Sequence, residues 1–263
     1  MDAPYDTIGR SYSTTRRADP RIVTELVRHL ALPRGSVIAD IGAGTGNYTN
    51  ALADASYRVL AIEPSRAMRQ QAKPHPGVVW MDGVAERLPF SDRELGGVVS
   101  TLAIHHFTDL RQALREMHRV SGTGPVVLFT FDYSTLDKPW QAHYFPDLWI
   151  DISRPLPPLE DIAGWMRHET GRSVEVVPFL IPHDLEDLFM LAPWRRPELY
   201  LDPQVRAGIS AFALANSAQI ERGLARLRDD LENGSWKEQF GSVLELSEID
   251  AGYRFLIAKT GGQ

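Results

Sequence analysis

Residues 37–48, V-I-A-D-I-G-A-G-T-G-N-Y, govern the architecture of this 263-residue chain. The apolar run at the start of this stretch has no helical periodicity, which predicts the end of a buried parallel strand at Asp40. Behind the acid, glycine occupies every second position: Gly42, Gly44 and Gly46. Glycines there allow a tight turn and a close approach of a ligand to the backbone, and a helix is predicted to begin just behind them at Asn47.

This acid-x-Gly-x-Gly-x-Gly pattern resembles motif I of class I S-adenosylmethionine (SAM) dependent methyltransferases, in particular the small-molecule, type 11-like enzymes of ubiquinone and menaquinone biosynthesis. A dinucleotide-binding fingerprint would need its third glycine at position 47, where this chain has Asn47. Nineteen residues past Gly44, Glu63 ends a second apolar strand, and an acid at that point suits the two hydroxyls of a ribose. A glycine-rich turn without a ligand is the alternative interpretation.

The first nineteen residues also carry a pattern. Tyr5, Tyr12 and Arg16 follow an order that resembles the Y-D-x-x-x-x-x-Y-x-x-x-R leader of small-molecule methyltransferases. The resemblance implies that this leader folds over the cofactor and that Tyr12 contacts it, whereas a frayed terminus is the alternative. Asp19 followed by Pro20 predicts the first helix, with the acid as its N-cap.

Apolar strands alternate with helical segments along the rest of the chain. Beyond motif I, strands are predicted over residues 58–62, 78–81, 98–101, 125–131, 173–181 and 252–259. Helices are predicted over residues 20–32, 47–54, 65–71, 109–120 and 158–170. Residues 132–157 are rich in aromatic side chains and are predicted to be irregular. The alternation predicts a Rossmann-like, doubly wound α/β sheet of seven strands. The family resemblance implies the strand order 3-2-1-4-5-7-6, with an antiparallel seventh strand.

About seventy residues separate the last two predicted strands, far more than an ordinary connection contains. Apolar residues at helical spacing follow a helix start at Asp202-Pro203, and they are Val205, Ile209, Phe212, Ile220, Leu224, Leu227 and Leu231. We therefore expect a cofactor-covering segment (1–19), a SAM-binding domain (20–181 and 249–263) and a helical lid inserted over the acceptor (182–248). A helical layer that only covers the sheet is the alternative.

Several candidate ligand residues follow the predicted strands. Ligands of open α/β sheets bind outside the carboxyl ends of the strands, where Asp40, Glu63 and Asp82 are expected. Residues 83–90 resemble the family's G-D-A-x-x-L-P-F, but Val84 replaces the acid that binds the adenine amine, so backbone groups, apolar packing or Asp82 must serve instead. The resemblance implies cofactor contacts by Tyr12, Asp40, Gly42, Gly44, Gly46, Glu63, Pro64, Asp82, Gly83, Val84, Ala85, Leu102 and Ala103.

Two adjacent histidines are the candidates for catalysis. The sulfonium already activates the methyl group of SAM, so the enzyme mainly aligns an acceptor for in-line displacement. An oxygen or carbon acceptor usually also needs a proton removed. His105 and His106 follow the strand predicted over 98–101, and histidine titrates near neutrality. Because adjacent residues of an extended loop point opposite ways, we expect one of them to face the pocket. Helix capping or core packing by both is the alternative.

Aromatic residues predict the acceptor pocket. Small-molecule sites are walled mainly by apolar and aromatic side chains. Such residues are concentrated after the strand predicted over 125–131 and at the start of the proposed lid. The expected substrate contacts are Tyr133, Trp140, Tyr144, Trp149, His183, Phe189 and Trp194.

Composition narrows the classes of function. The chain has no cysteine, which excludes disulfides, thiolate nucleophiles and cysteine–zinc sites, and no metal site is predicted. A net charge of −6 disfavours nucleic acid as a partner, and the Asn/Asp-Pro-Pro-Tyr/Phe clamp for nucleic-acid amines is absent at Thr101–Ile104. No run approaches the ~18 apolar residues of a membrane span. The start, M-D-A-P-Y-D-T, lacks the features of a signal peptide, which predicts a cytoplasmic chain, with a monomer as the default.

We predict a methyltransferase that transfers a methyl group from SAM to an O, N or C atom of a small, apolar or aromatic molecule and releases S-adenosylhomocysteine. An NAD-dependent reductase is disfavoured by Asn47 and by the lack of a Tyr-x-x-x-Lys pair. A catalytically inactive SAM-binding protein with a regulatory or scaffolding role is the alternative. It is left open by Val84 and by Gly122-Thr123-Gly124-Pro125, which replaces the family's Pro-Gly-Gly.

Overall fold

One mixed sheet forms the centre of the molecule. The computed structural model describes residues 15–133, 136, 138–152 and 156–259. Tyr12 and the other leader residues up to position 14 therefore lie outside the described residues. The sheet strands are β1 (Val37–Ile41), β2 (Arg58–Ile62), β3 (Val78–Met81), β4 (Gly97–Thr101), β5 (Val126–Phe131), β6 (Val174–Pro178) and, after the insertion, β9 (Tyr253–Ala258). A separate two-stranded ribbon pairs β7 (Ile181–Pro182) with β8 (Glu248–Ile249).

The strand order of the sheet is β3-β2-β1-β4-β5-β9-β6. Strands β1 to β5 pair in parallel, whereas β9 is antiparallel to both β5 and β6. Since β9 is the last strand of the sheet in sequence, this arrangement confirms the predicted fold class. The carboxyl ends of β1 to β6 consequently lie at one edge, where a ligand of such a sheet binds.

The predicted strand over 173–181 is shorter in the structure. β6 ends at Pro178, because its partner β9 begins only at Tyr253, after a turn in which Gly252 adopts a φ of +78°. Ile181 instead pairs with Ile249 in the β7–β8 ribbon. The ribbon therefore brings the two ends of residues 182–248, here called the insertion, to one place.

Helices cover both faces of the sheet. Before the insertion they are α1 (Pro20–Leu30), α2 (Asn47–Asp54), α3 (Arg66–Arg69), α4 (Leu110–Ser121), α5 (Gln141–Tyr144), α6 (Pro146–Ile152) and α7 (Leu159–Thr170). Asp19 caps α1 as predicted, and Ser65 and Asp109 cap α3 and α4: each accepts a hydrogen bond from a backbone amide in the first turn of the following helix. These local contacts explain why the helix starts were predictable.

The sequence had predicted irregular structure over residues 132–157, but part of this segment is helical. They contain α5 and α6, each of at most seven residues. Helices this short show too few turns for apolar periodicity to stand out, and tertiary contacts stabilise them. Tyr144 and Trp149, for example, are buried in the core that the insertion shares with the sheet.

The insertion is helical, with α8 (Pro203–Ala207), α9 (Ser210–Leu214), α10 (Ser217–Asn233) and α11 (Ser235–Phe240), and with 3₁₀ turns at Pro197–Leu201 and Gly241–Glu245. Asn233-Gly234 ends α10, but it does not end the helical region. Gly234, with a φ of +88°, turns the chain directly into α11.

Two cores lie on opposite faces of the sheet, because alternate residues of each strand point to opposite sides. Val126 and Leu128 of β5 pack against α4 and α7, whereas Val127 and Phe129 belong to the core that includes α1, α2 and the insertion. The insertion is thus built on one face and overhangs the carboxyl edge. No helix in the described ranges is long and apolar enough to cross a membrane.

Candidate active site

The glycine loop between β1 and α2 is fixed by backbone geometry. Gly42 and Gly44 adopt φ values of +74° and +58°, which side chains rarely tolerate. A Cβ atom on Gly42 would lie 2.6 Å from Cβ of Ala103, so the loop and the segment after β4 touch without room for a side chain. The Gly44 amide donates to Oε2 of Glu63 at 2.9 Å, and the Ser65 amide donates to Oε1 at 2.8 Å. The glycine loop and the acid after β2 are therefore tied together.

A first cavity of about 640 Å³ opens at this edge of the sheet. Its volume lies within the ~300–1,000 Å³ that is usual for small-molecule sites. Nine of the predicted cofactor residues line it: Gly42, Gly44, Glu63, Pro64, Gly83, Val84, Ala85, Leu102 and Ala103. The cofactor residues predicted from separate strands thus converge on one space.

Three other residues predicted to contact the cofactor do not line this cavity. Gly46 is the N-cap of α2, and a Cβ atom there would lie 2.6 Å from the Trp80 ring, so close helix packing requires this glycine. Asp82 is largely exposed and forms an ion pair with Arg69 at 3.1 Å. Asp40 lies buried below the loop, where Oδ2 accepts a hydrogen bond from Thr49 at 2.6 Å.

The second carboxylate oxygen of Asp40 is a buried acceptor without a hydrogen-bond partner among the described residues. Desolvation, with a smaller contribution from the negative charge of Glu63, raises the pKa of Asp40 to about 6. A cation or a donor group placed above the loop would stabilise its ionised form. This orphaned oxygen therefore fits the positively charged end of SAM.

The lining chemistry fits the remaining parts of SAM as well. Glu63, the acid predicted to bind the ribose hydroxyls, is 6% exposed and lines the first cavity. Apolar walls suited to an adenine ring are provided by Ile62, Met68, Val84 and Phe107. The residues present would therefore hold the ribose by charge-assisted hydrogen bonds and the base by packing.

A strained turn leads from β4 into the histidine pair. Leu102 adopts a φ of +52°, a sparsely populated conformation for a residue other than glycine, and its amide donates to the Phe129 carbonyl at 2.8 Å. Ile104–His106 then form a 3₁₀ turn rather than the extended loop that was predicted. Strain of this kind is concentrated at functional sites.

Both histidines consequently point the same way. The ring centroids of His105 and His106 are 3.8 Å apart, and both residues line the first cavity. The expectation that only one of them faces the pocket is therefore wrong, because it assumed an extended backbone. The Nδ1 atom of His105 is buried without a hydrogen-bond partner in the described part of the chain.

Both imidazoles are neutral at physiological pH. Desolvation, reinforced by the neighbouring His106 and Arg16, lowers the pKa of His105 well below its usual value. Part of the His106 side chain is exposed, and partial desolvation by the residues around it lowers its pKa to about 4. A neutral imidazole has one nitrogen that can accept a proton.

A second cavity of about 280 Å³ lies beside the first, towards the insertion. The two cavities share Arg16, Leu102, His105 and His106. The walls of the second cavity are mainly apolar and include Phe131, Tyr133, Phe189, Met190, Ile209 and Tyr253. Tyr133 and Phe189 were predicted as substrate residues.

The other predicted substrate residues do not line the second cavity. Trp140 and Trp194 donate their indole N–H groups to the carbonyls of Trp194 and Ile181, and the Tyr144 hydroxyl donates to Asp230. Trp149 is buried and stacks on Tyr133 with ring centroids 5.5 Å apart. His183 lies exposed at the surface, next to the Ser247 carbonyl. Trp140 and Tyr144 pack against the insertion, which supplies partners for their polar ends.

A buried ion pair at the first cavity was missed from the sequence. Nε and Nη2 of Arg16 donate to the two carboxylate oxygens of Asp187 at 2.5 and 3.1 Å, and the Tyr48 hydroxyl donates to the same carboxylate at 3.0 Å. All three residues line the first cavity. Arg16 belongs to the leader motif, but no sequence pattern pairs it with an acid 171 residues away.

Comparison with known proteins agrees with this geometry. A family profile described as "Methyltransferase domain" matches residues 39–129, which run from the glycine loop through β5. The crystal structure of a candidate methyltransferase from an antibiotic biosynthesis pathway of Anabaena variabilis ATCC 29413 is 51% identical. It superposes with a TM-score of 0.92 and covers 94% of this chain and 100% of that one.

Curated relatives are methyltransferases too. An uncharacterised methyltransferase of Geobacillus kaustophilus is 33% identical over 151 residues, which is 53% of this chain and 70% of that protein. The ubiquinone/menaquinone biosynthesis C-methyltransferase UbiE of Rubrivivax gelatinosus is 37% identical over 100 residues, 37% of this chain and 40% of that enzyme. The chain spans about half the length of the first curated relatives it matches. The chain belongs to the SAM-dependent methyltransferases, an enzyme family whose cofactor is S-adenosyl-L-methionine.

Proposed function

We propose that this protein transfers the methyl group of SAM to an oxygen or acidic carbon atom of a small, apolar or aromatic molecule. One observation supports this above all: the first and second cavities share a wall of Arg16, Leu102, His105 and His106. A donor on one side would meet an acceptor on the other at this wall. Bound SAM supplies a methyl group that is already activated, so the main task of the chain is alignment, which can contribute ~7–11 kcal/mol.

The donor side would be the first cavity. Glu63, fixed by the amides of Gly44 and Ser65, presents a carboxylate to the ribose. Asp40 places negative charge beneath the loop, where it favours the cationic end of SAM. Tyr12 stays a predicted contact, as part of the leader over the cofactor.

The acceptor side would be the second cavity, with the insertion as its lid. Its small volume and apolar walls favour a compact aromatic or apolar molecule over a peptide or a nucleic acid. The hydroxyls of Tyr133 and Tyr253 lie 2.5 Å apart and form a polar feature that can orient such a molecule. Phe189 supports the acceptor from the insertion and excludes water during transfer.

The histidine pair would handle the proton of the acceptor. Both imidazoles are neutral and can accept a proton, but a pKa of about 4 makes His106 a weak base. A weak base suits an acceptor whose proton is itself acidic, such as a phenol, an enol or a carboxylic acid.

A methyl-transfer assay tests the proposal. Purified protein is incubated with SAM and a panel of phenols, hydroquinones, enols and aromatic carboxylic acids. S-adenosylhomocysteine and methylated products are then quantified by mass spectrometry, with reactions lacking acceptor as the control. We expect turnover with at least one member of the panel.

Calorimetry with S-adenosylhomocysteine separates the alternatives. Binding without turnover of any acceptor would favour a SAM-binding regulatory or scaffolding protein. Absence of binding, or tighter binding of NADH, would contradict the assignment of the first cavity to SAM.

A further inference from the structure

Residues 15–21, at the end of the leader and the start of α1, form hydrogen bonds with the start of the insertion. The Glu186 amide donates to Asp19 at 2.9 Å, and the Arg21 side chain donates to Asp184 at 2.6 Å. The Thr15 hydroxyl donates to the carbonyl of Gln204 at 3.2 Å. Residues 15–21 therefore contact the insertion at both 184–187 and the beginning of α8.

The ion pair between Arg16 and Asp187 is at the centre of these contacts. The side chains are 10% and 1% exposed, respectively. A buried carboxylate that accepts two guanidinium N–H groups and a tyrosine hydroxyl is tightly fixed, and removing one charge leaves the other buried and unpaired. The pair is thus a rigid connection rather than a surface contact.

This connection also reaches the glycine loop. Tyr48, which donates to Asp187, is the second residue of α2, and the Asn47 amide group donates to the Arg16 carbonyl at 2.8 Å. α2 begins directly behind the glycines that line the first cavity. A ligand that orders the loop and the start of α2 would therefore also order Arg16 and Asp187.

The same pair reaches the second cavity. The Arg16 guanidinium lies 5.9 Å from the ring centroid of Phe189, and both residues line that cavity. Phe189 is two residues beyond Asp187, so the position of the ion pair sets the position of this wall. The pair connects the two cavities through only a few side chains.

From these contacts we propose that Arg16 and Asp187 are positioning residues that couple occupancy of the first cavity to closure of the insertion over the second cavity. The proposal rests on the proposed function, in which these cavities take the cofactor and the acceptor. By thermodynamic reciprocity, an occupied second cavity would equally strengthen cofactor binding. Neither residue takes part in the chemistry.

Hydrogen–deuterium exchange of the full chain, with S-adenosylhomocysteine as the probe, tests this proposal. In the wild type we expect the ligand to slow exchange about 5-fold or more in peptides covering 184–192, a typical coupling between sites. In Asp187→Asn this protection should fall below about 2-fold, while calorimetry still shows binding. Glu186→Gln removes a neighbouring, exposed carboxylate and should keep the wild-type response.

The outcomes separate the two proposals. If S-adenosylhomocysteine binds but leaves the exchange of 184–192 unchanged, or if Asp187→Asn is protected as well as the wild type, the coupling is overturned and the proposed function stands. If the ligand does not bind the wild type, the proposed function fails first. Should Asp187→Asn not fold, Tyr48→Phe removes one hydrogen bond from the same carboxylate: reduced protection supports the coupling, and undiminished protection overturns it.

Discussion

The backbone amide of Gly44 donates a 2.9 Å hydrogen bond to Glu63, nineteen residues further along the chain. The bond links the turn after β1 to the acid after β2, the two groups from which a SAM site was predicted. It holds the turn and the acid together at one edge of the sheet. Preorganisation of this kind reduces the entropy that binding would otherwise lose.

Gly42→Ala should impair cofactor binding. The new Cβ atom would lie 2.6 Å from Cβ of Ala103, and the φ of +74° costs a residue with a side chain roughly 1–2 kcal/mol. We expect a lower melting temperature and an affinity for S-adenosylhomocysteine reduced about tenfold or more, since about 1.4 kcal/mol corresponds to tenfold.

Gly35→Ala is the matched control for that change. Gly35 has a φ of +84°, but a Cβ atom there meets nothing within 4 Å, and the residue does not line the first cavity. Gly35→Ala should lower the melting temperature through backbone strain, but it should not reduce the affinity for S-adenosylhomocysteine. Equal affinities of the two variants would contradict a cofactor site at Gly42.

Glu63→Gln should weaken the binding of S-adenosylhomocysteine by about tenfold or more, because a hydrogen bond to a charged group contributes about 1.5–3 kcal/mol. Asp82→Asn removes an exposed carboxylate of a neighbouring strand end that does not line the cavity. Calorimetry should therefore find little change for Asp82→Asn. The reverse order of effects would place the ribose near Asp82.

His106→Gln should lower kcat by about 100-fold or more, a usual contribution of proton transfer, with little change in cofactor affinity. Because the pKa of His106 is about 4, wild-type kcat/KM should not show a histidine limb near pH 6.5. The exposed His183→Gln serves as the control. Small and equal losses in His105→Gln and His106→Gln would indicate a packing role for both residues.

The buried carboxyl of Asp40 should make the free protein less stable as the pH rises. Its pKa is about 6 in the folded state against 3.8 ordinarily, so the folded state binds the proton more tightly. The cost of ionising it is absent below pH 3.8 and complete above pH 6.

Urea unfolding of wild type and Asp40→Asn at pH 4 and pH 7 measures this cost. Between pH 4 and pH 7, the free energy of unfolding of the wild type should fall by about 2 kcal/mol more than that of Asp40→Asn. All other ionisable groups are the same in both proteins, so their contribution cancels in the comparison. If the free energy of unfolding changes with pH in the same way in both proteins, ionisation of Asp40 costs no stability.

Local signals explain which elements could be predicted. Strands β2 and β3 and helix α2 have the predicted limits, because short apolar runs and the glycine turn mark their ends within a few residues. α5 and α6 could not be predicted, since each depends on contacts with the insertion rather than on its own periodicity. The direction of the histidine pair depended on the φ of +52° at Leu102. A leucine in the sequence gives no sign of this backbone conformation.

Local sequence was sufficient for the fold class, the family and the cofactor edge, because strand patterning, caps and glycine turns act over a few residues. The tertiary structure alone decided which aromatic side chains line the second cavity and which pack the insertion. It alone paired Arg16 with Asp187, 171 residues apart. Such contacts depend on where the whole chain places two distant segments, and no short-range pattern encodes that placement.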